Sequence, residues 1–147
     1  MDQGVTDRIN ALSDIEAIRR LFVEYGRMLD LRDFAGYAEL FAEDGEWCGV
    51  GAYGSVSGRE AIAAFMAEAF GGEAVAPCVH LMTNMAIDVT GDHATAWSRW
   101  TLIEGPPGEP RPIVVLAGHY DDRLARDPAG WRFQRRLVSV DLPRLIG

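Results

Sequence analysis

The chain has 147 residues, 48% of them hydrophobic, and a formal net charge of −8, with 22 acidic against 14 basic side chains. A domain of that size can bury a core and a pocket, while a field of that sign repels a phosphate backbone and excludes nucleic acid as a partner. All 14 basic residues are arginine, which excludes a lysine Schiff base, pyridoxal phosphate attachment and a Walker-type phosphate loop.

The string GVGAYG at 49–54 fits GxGxxG, but the predicted helix starts only after Ser57 and not at these glycines, as a dinucleotide fold needs; no GxSxG is present, and no cofactor is expected. The opening MDQGVTDRIN has no basic segment followed by an apolar run. No stretch approaches the roughly 18 apolar residues of a membrane span, so no membrane association and a cytoplasmic location are expected. The chain reads as a single domain, 1–147, with a core over 13–141 and short tails.

In chain order, Ser13-Asp14-Ile15-Glu16 has the form of a capping box and predicts a helix start. The apolar stripe that follows contains Ile15, Ile18, Phe22, Tyr25 and Leu29. Asp33 predicts the cap of a short second helix burying Phe34, Tyr37, Ala38 and Phe41, ended by a turn at Glu43-Asp44-Gly45. GEWCGVG reads as a strand. Ser57-Gly58-Arg59-Glu60 repeats the capping box before an alanine-rich third helix that stops at Gly71-Gly72.

From Pro77 the period changes to two-residue alternation. Strands are predicted at about 78–89, 93–103, 113–125 and 131–140, separated by short Gly- and Pro-containing turns, so neighbours should pair antiparallel as a meander. The layout is α+β, with three helices packed on one face of the sheet.

The segments YGRMLDLRDFAGYAELFAEDGEW, SGREAI, VHLMTNMAIDVTGDHATAWS and GHYDDRLARDPAGWRFQRR resemble the SnoaL-like branch of the nuclear transport factor 2-like superfamily. The resemblance covers about 13–141. It implies a cone in which a curved sheet wraps the helices around a blind apolar pocket, and a homodimer or homotrimer formed through the sheet's outer face. Within the branch, scytalone dehydratase, bile-acid 7α-dehydratase and hexachlorocyclohexane dehydrochlorinase pair a histidine in an xHxxTN-like strand with an aspartate ending the first helix. These positions are His80 and Asp30 here.

The implied reaction is a cofactor-independent, dehydratase-type elimination on a small apolar ring substrate. His80 would remove a proton and Asp30 would stabilise the imidazolium. The alternatives are an isomerase of the ketosteroid-isomerase type and a non-catalytic ligand-binding or dioxygenase small-subunit-like domain.

Read from the residues alone, His80 shares a strand face with Met82, Asn84, Ala86 and Asp88. Asp30 is a carboxylate near a helix C-terminus, an unfavourable place unless something pairs with it. Tyr25, five residues earlier, matches the tyrosine of the bile-acid enzyme, and Arg136 falls where the dehydrochlorinase has its leaving-group arginine. Alternation admits only one of Arg135 and Arg136 inward, and Arg136 is preferred.

Trp47, Met82, Trp97 and His119 are the candidate substrate contacts. His93 and Asp121-Asp122 are read as surface groups. Cys48 and Cys78 are read as unpaired core residues. With three histidines and no close spacing between them, no metal site is expected.

Overall fold

The computed structural model describes residues 2–49 and 54–143. Its elements are α1 (Gln3–Asp30), α2 (Phe34–Glu39), β1 (Phe41–Gly49), β2 (Ser55–Ser57), α3 (Arg59–Phe70), β3 (Cys78–Thr90), β4 (His93–Glu104), β5 (Ile113–Asp127) and β6 (Gly130–Leu142). The strands form one six-stranded sheet in the order β2-β1-β6-β5-β4-β3. β3 to β6 are the expected antiparallel meander, and β1 adds to β6 in parallel. The sheet curves around the helices without closing, the cone-shaped α+β arrangement of the cystatin-like fold. Among the described residues no helix is long and apolar enough to cross a membrane.

α1 buries Ile18, Leu21, Phe22, Tyr25, Gly26 and Leu29, one face of a 3.6-residue repeat, against β3 and β6. Phe22, Tyr25, Tyr37, Phe41 and Phe133 form an aromatic core with ring centroids 4.7–6.5 Å apart. Fully burying a side chain such as Phe22 or Phe133 stabilises the fold by about 1.5–3 kcal/mol.

Several local expectations are corrected. α1 begins at Gln3 rather than at the Ser13 capping box. Asp14 lies within the helix and serves a tertiary role, accepting a hydrogen bond from Trp131 Nε1 at 3.1 Å and pairing with Arg126. Asp33 does cap α2, its carboxylate accepting from the Gly36 amide at 2.9 Å, but Phe41 already belongs to β1. Glu43-Asp44-Gly45 is taken into that strand too, where the pairing with β6 shifts register between Phe41 and Glu46. Ser57 ends β2 instead of capping α3; the residue before α3 is Gly58, at φ 86°, with no side-chain cap.

The correction that matters most to the site is in β3. Pairing with β4 shifts register between Thr83 and Ala86, and Asn84 has φ 53°. The extra residue of such a bulge reverses the alternation. Met85, Ile87 and Val89 therefore pack on the core while Ala86 and Asp88 join a hollow on the outer face. His80 and Met82 lie before the bulge, on the side facing α1.

Two glycines set the approach of elements around the site. At Gly26 a Cβ would stand 3.3 Å from the His80 carbonyl oxygen and 3.4 Å from Met82 Cε, so its absence lets α1 lie close on β3 and delivers the end of α1 to His80. At Gly118 a Cβ would fall 1.8 Å from the Ser139 carbonyl oxygen and 2.8 Å from the Trp100 ring. Gly118→Ala must therefore spread β5 from β6 and displace Trp100, a destabilisation of at least about 1–3 kcal/mol. Thermal unfolding should show it as a lowered midpoint, and an unchanged midpoint would contradict this packing.

Candidate active site

His80, near the start of β3, donates its backbone amide to both Asp30 carboxylate oxygens, at 3.0 and 3.1 Å, and its ring Nδ1 lies 2.7 Å from Oδ1. The carboxylate at the C-terminal end of α1 thus has a partner that offsets the helix dipole. An ionised carboxylate only accepts, so Nδ1 carries the hydrogen that faces it, and in the neutral ring Nε2 is the nitrogen with the lone pair. The side chains are 5% exposed for His80 and 21% for Asp30. The Phe70 ring meets the imidazole edge-on at 5.7 Å.

The His80 ring lines a cavity of about 200 Å³ between α1, α3 and the inner face of the sheet. Leu29, Phe65, Met66, Phe70, Trp100 and Val138 make much of the wall. The polar groups are few. Tyr25 and Trp47 both reach the cavity, and Trp47 Nε1 donates to the Tyr25 hydroxyl at 3.2 Å. Tyr120 also lines it, its ring 5.6 Å from that of Tyr25. Burial raises the Tyr120 phenol well above its usual range, and so does Tyr25 beside it, which keeps the hydroxyl protonated and able to donate a hydrogen bond.

Arg136, the inward member of its pair, is fully buried, while Arg135 lies outside, 3.6 Å from Glu46. The Arg136 guanidinium does not line the cavity. It is held by Asp122 in a two-point bond, Nε at 2.8 Å and one terminal nitrogen at 2.7 Å. It is also packed by the rings of Tyr120, Tyr25, Phe133 and Phe22 at 3.8–4.7 Å. Burial acts to drive off its proton, but Asp122 outweighs that and holds it charged, above arginine's ordinary range. Burial pushes the Asp122 carboxyl up, and Arg136 offsets this only in part. Asp122, expected at the surface, is thus a core residue, because alternation turns it inward beside Tyr120 and Leu124.

The other candidates lie elsewhere. Met82 packs on α1 at Gly26 and lines a shallow outer groove with Val23, Arg27 and Leu81. Trp97 and His119 are on the outer face of the sheet, stacked 6.0 Å apart. His119 Nδ1 lies 2.8 Å from Asp141, which also takes Arg99 at 2.9 Å. Trp97 and His119 alternate away from the cavity-lining Trp100, Leu102 and Tyr120. Phe65, Phe70 and Tyr120 went unnoticed in the sequence as cavity residues, whereas Trp100 was legible as a pocket aromatic; only the alanine-rich helix pattern of α3 and the inward alternation of β5 hinted at the other three.

Cys48 and Cys78 are both free. Cys78, two residues before His80 on the same strand face, completes a group in which donor atoms of Asp30, Cys78 and His80 all lie within 4.8 Å of one another. The expectation of no metal site rested on the spacing of the histidines among themselves and of the cysteines among themselves, and overlooked this mixed set. Burial, then Asp30 and Glu104, push the Cys78 thiol up.

The SnoaL-like domain model matches residues 10–137. The chain belongs to the SnoaL-like family. The uncharacterized protein Rv2910c of Mycobacterium tuberculosis is 30% identical over 139 residues, covering 92% of this chain and 90% of its own length. An NTF2-like protein with a cystatin-like fold from Novosphingobium aromaticivorans superposes with a TM-score of 0.85 at 30% identity, over 98% of this chain and 93% of that one. A candidate scytalone dehydratase from the same organism superposes with a TM-score of 0.77 at 26% identity, over 90% of this chain and 87% of that one. These SnoaL-like and NTF2-like matches bear out the family and the fold read from the sequence.

Proposed function

We propose that this SnoaL-like protein is a cofactor-independent lyase of the dehydratase type, acting on a small apolar ring substrate. The observation that carries the reading is the 2.7 Å contact of His80 Nδ1 with Asp30 at the wall of an apolar cavity. With Nδ1 occupied, Nε2 is the nitrogen left to take a proton. It abstracts a hydrogen from the carbon next to a carbonyl, the electron pair forms the new double bond, and the leaving group departs from the adjacent carbon. Asp30 stabilises the imidazolium, and the Tyr25 hydroxyl serves the carbonyl or the departing oxygen as donor. The likeness to a candidate scytalone dehydratase supports the reaction class.

Arg136, assigned by resemblance to a leaving group, takes a different role here. Its charge is spent on Asp122, and it backs the Tyr25 and Tyr120 rings that form the cavity wall. The leaving group is consequently better matched to a hydroxyl met by a phenol than to a halide met by a cation. The free thiols Cys48 and Cys78 agree with a reducing, cytoplasmic setting.

Size narrows the substrate. An apolar cavity of about 150 Å³ holds a benzene, and drug-sized ligands take about 300–1,000 Å³. The 200 Å³ here suits one or two rings better than the four of a steroid. Because Trp47 and Trp100 line the space, one- and two-ring hydroxyketones should change tryptophan fluorescence saturably. A four-ring sterol should not, and tight sterol binding would overturn the size argument.

A further inference from the structure

We propose that Asp30, Cys78 and His80 form a three-ligand site for zinc(II), and that its occupation switches the acid-base pair off. Cys78 and His80 are two residues apart on β3, so strand alternation places both side chains on one face. Asp30 is brought to the same point by the end of α1. The three donor atoms lie within 4.8 Å of one another. Around tetrahedral zinc, with bonds of about 2.0–2.3 Å, donors stand roughly 3.3–3.6 Å apart. Side-chain adjustment alone therefore closes the set: the Nδ1 to Oδ1 contact must open from 2.7 Å, and the thiol must move inward.

Sulfur, imidazole nitrogen and carboxylate together select a borderline soft ion over magnesium or calcium. Three protein ligands leave the fourth position for water. The ion also has a route in. A depression lined by Asp30, Cys78, Arg32, Val75 and Pro77 reaches two of the ligands from outside, without passing through the apolar cavity. The Arg32 guanidinium at its edge donates to the carbonyls of Gly72 and Val75 at 3.4 and 3.0 Å.

Zinc takes the Nδ1 lone pair of the tautomer whose hydrogen sits on Nε2, so the hydrogen moves from Nδ1 to Nε2, the Cys78 thiol releases its proton to solvent as it ligates, and the ion takes the Asp30 oxygen that had faced Nδ1. The hydrogen bond that orients the ring and stabilises its charged form is lost. The switching half rests on the acid-base reading above, whereas the ligation does not.

The test uses the purified chain, without a histidine tag, and zinc chloride or cobalt(II) chloride as probe. Calorimetry should give one zinc per chain, unaffected by millimolar magnesium. Cobalt should show a thiolate-to-metal charge-transfer band. Cys78→Ser should remove the band and weaken zinc by about 100-fold or more, because even the outer partners of a ligand are worth about 10- to 100-fold. Cys48→Ser should leave both unchanged. The proton resonance of the His80 Nδ1 hydrogen should vanish with one equivalent of zinc.

Equal zinc affinity in wild type and Cys78→Ser, or no binding at all, would overturn the site. Zinc bound through Cys78 with that resonance intact would overturn the switch. A protein that turns nothing over yet binds zinc in this way would count against the lyase reading and leave the site standing.

Discussion

Replacing His80 with alanine is expected to lower kcat/KM by at least about 100-fold, the lower scale of acid-base catalysis, while small-ring ligands still bind. The cavity wall is mostly apolar, so affinity comes from burial of the ligand and is little affected by loss of the imidazole. Asp30→Asn should act by a different route. An amide oxygen can still accept from the His80 ring and backbone, but it has no charge with which to stabilise an imidazolium. Its NH2 group can also donate to Nδ1 and select the tautomer with no free Nε2. The expected signature is a kcat loss approaching that of His80→Ala with KM nearly unchanged. Steady-state kinetics on one substrate separate the two quantities. Wild-type rates in both variants would place the chemistry elsewhere.

The second large effect concerns stability. Asp122→Ala should destabilise the fold by about 3–5 kcal/mol, because it leaves the Arg136 charge buried without its partner. Arg136 has one terminal nitrogen without a hydrogen-bond partner even in the intact pair, so a second loss has no nearby replacement. Removing both charges should cost far less. Asp122→Leu combined with Arg136→Met replaces the pair by apolar groups of similar length, a change that is often neutral or even stabilising. The raised Asp122 carboxyl points the same way, since burial there exceeds what Arg136 returns. Denaturant unfolding of the two single variants and the double variant gives the coupling directly. Additive losses would contradict it. The double variant also separates stability from function, because loss of the cation behind Tyr25 and Tyr120 should alter turnover while the chain remains folded.

The parts of this molecule that were legible in the sequence are those governed by local rules. The meander was readable because short turns with glycine or proline separate alternating runs, leaving adjacent strands little choice of partner. Asp33 was readable as a cap because an aspartate before a helical stripe has one dominant use.

Ser13-Asp14-Ile15-Glu16 misled for the converse reason. Nothing in those four residues reveals that the helix already extends back to Gln3, or that Trp131 and Arg126 engage Asp14 from 117 and 112 positions away. The faces of β3 were misread beyond Thr83 because a single bulge at Asn84 inverts them. In β4 and β5, Trp97 and His119 have the residue types of a cavity wall but the parity of the outer face.

His80 and Asp30 were found through resemblance, and the structure brings them together. Their spacing of 50 residues carries no local signal. The Cys-x-His spacing of Cys78 and His80 was in plain view and had no meaning until α1 supplied the carboxylate.

The central claim is that His80 removes a proton from a ligand held in this cavity. Its most direct test is a panel of one- and two-ring β-hydroxyketones incubated in heavy water and followed by mass spectrometry. The account predicts that the wild-type protein eliminates water from at least one of them, or places deuterium beside the carbonyl, and that His80→Ala does neither. Equal rates in the two proteins, or a wild type that binds panel members in the cavity and transforms none, would contradict it.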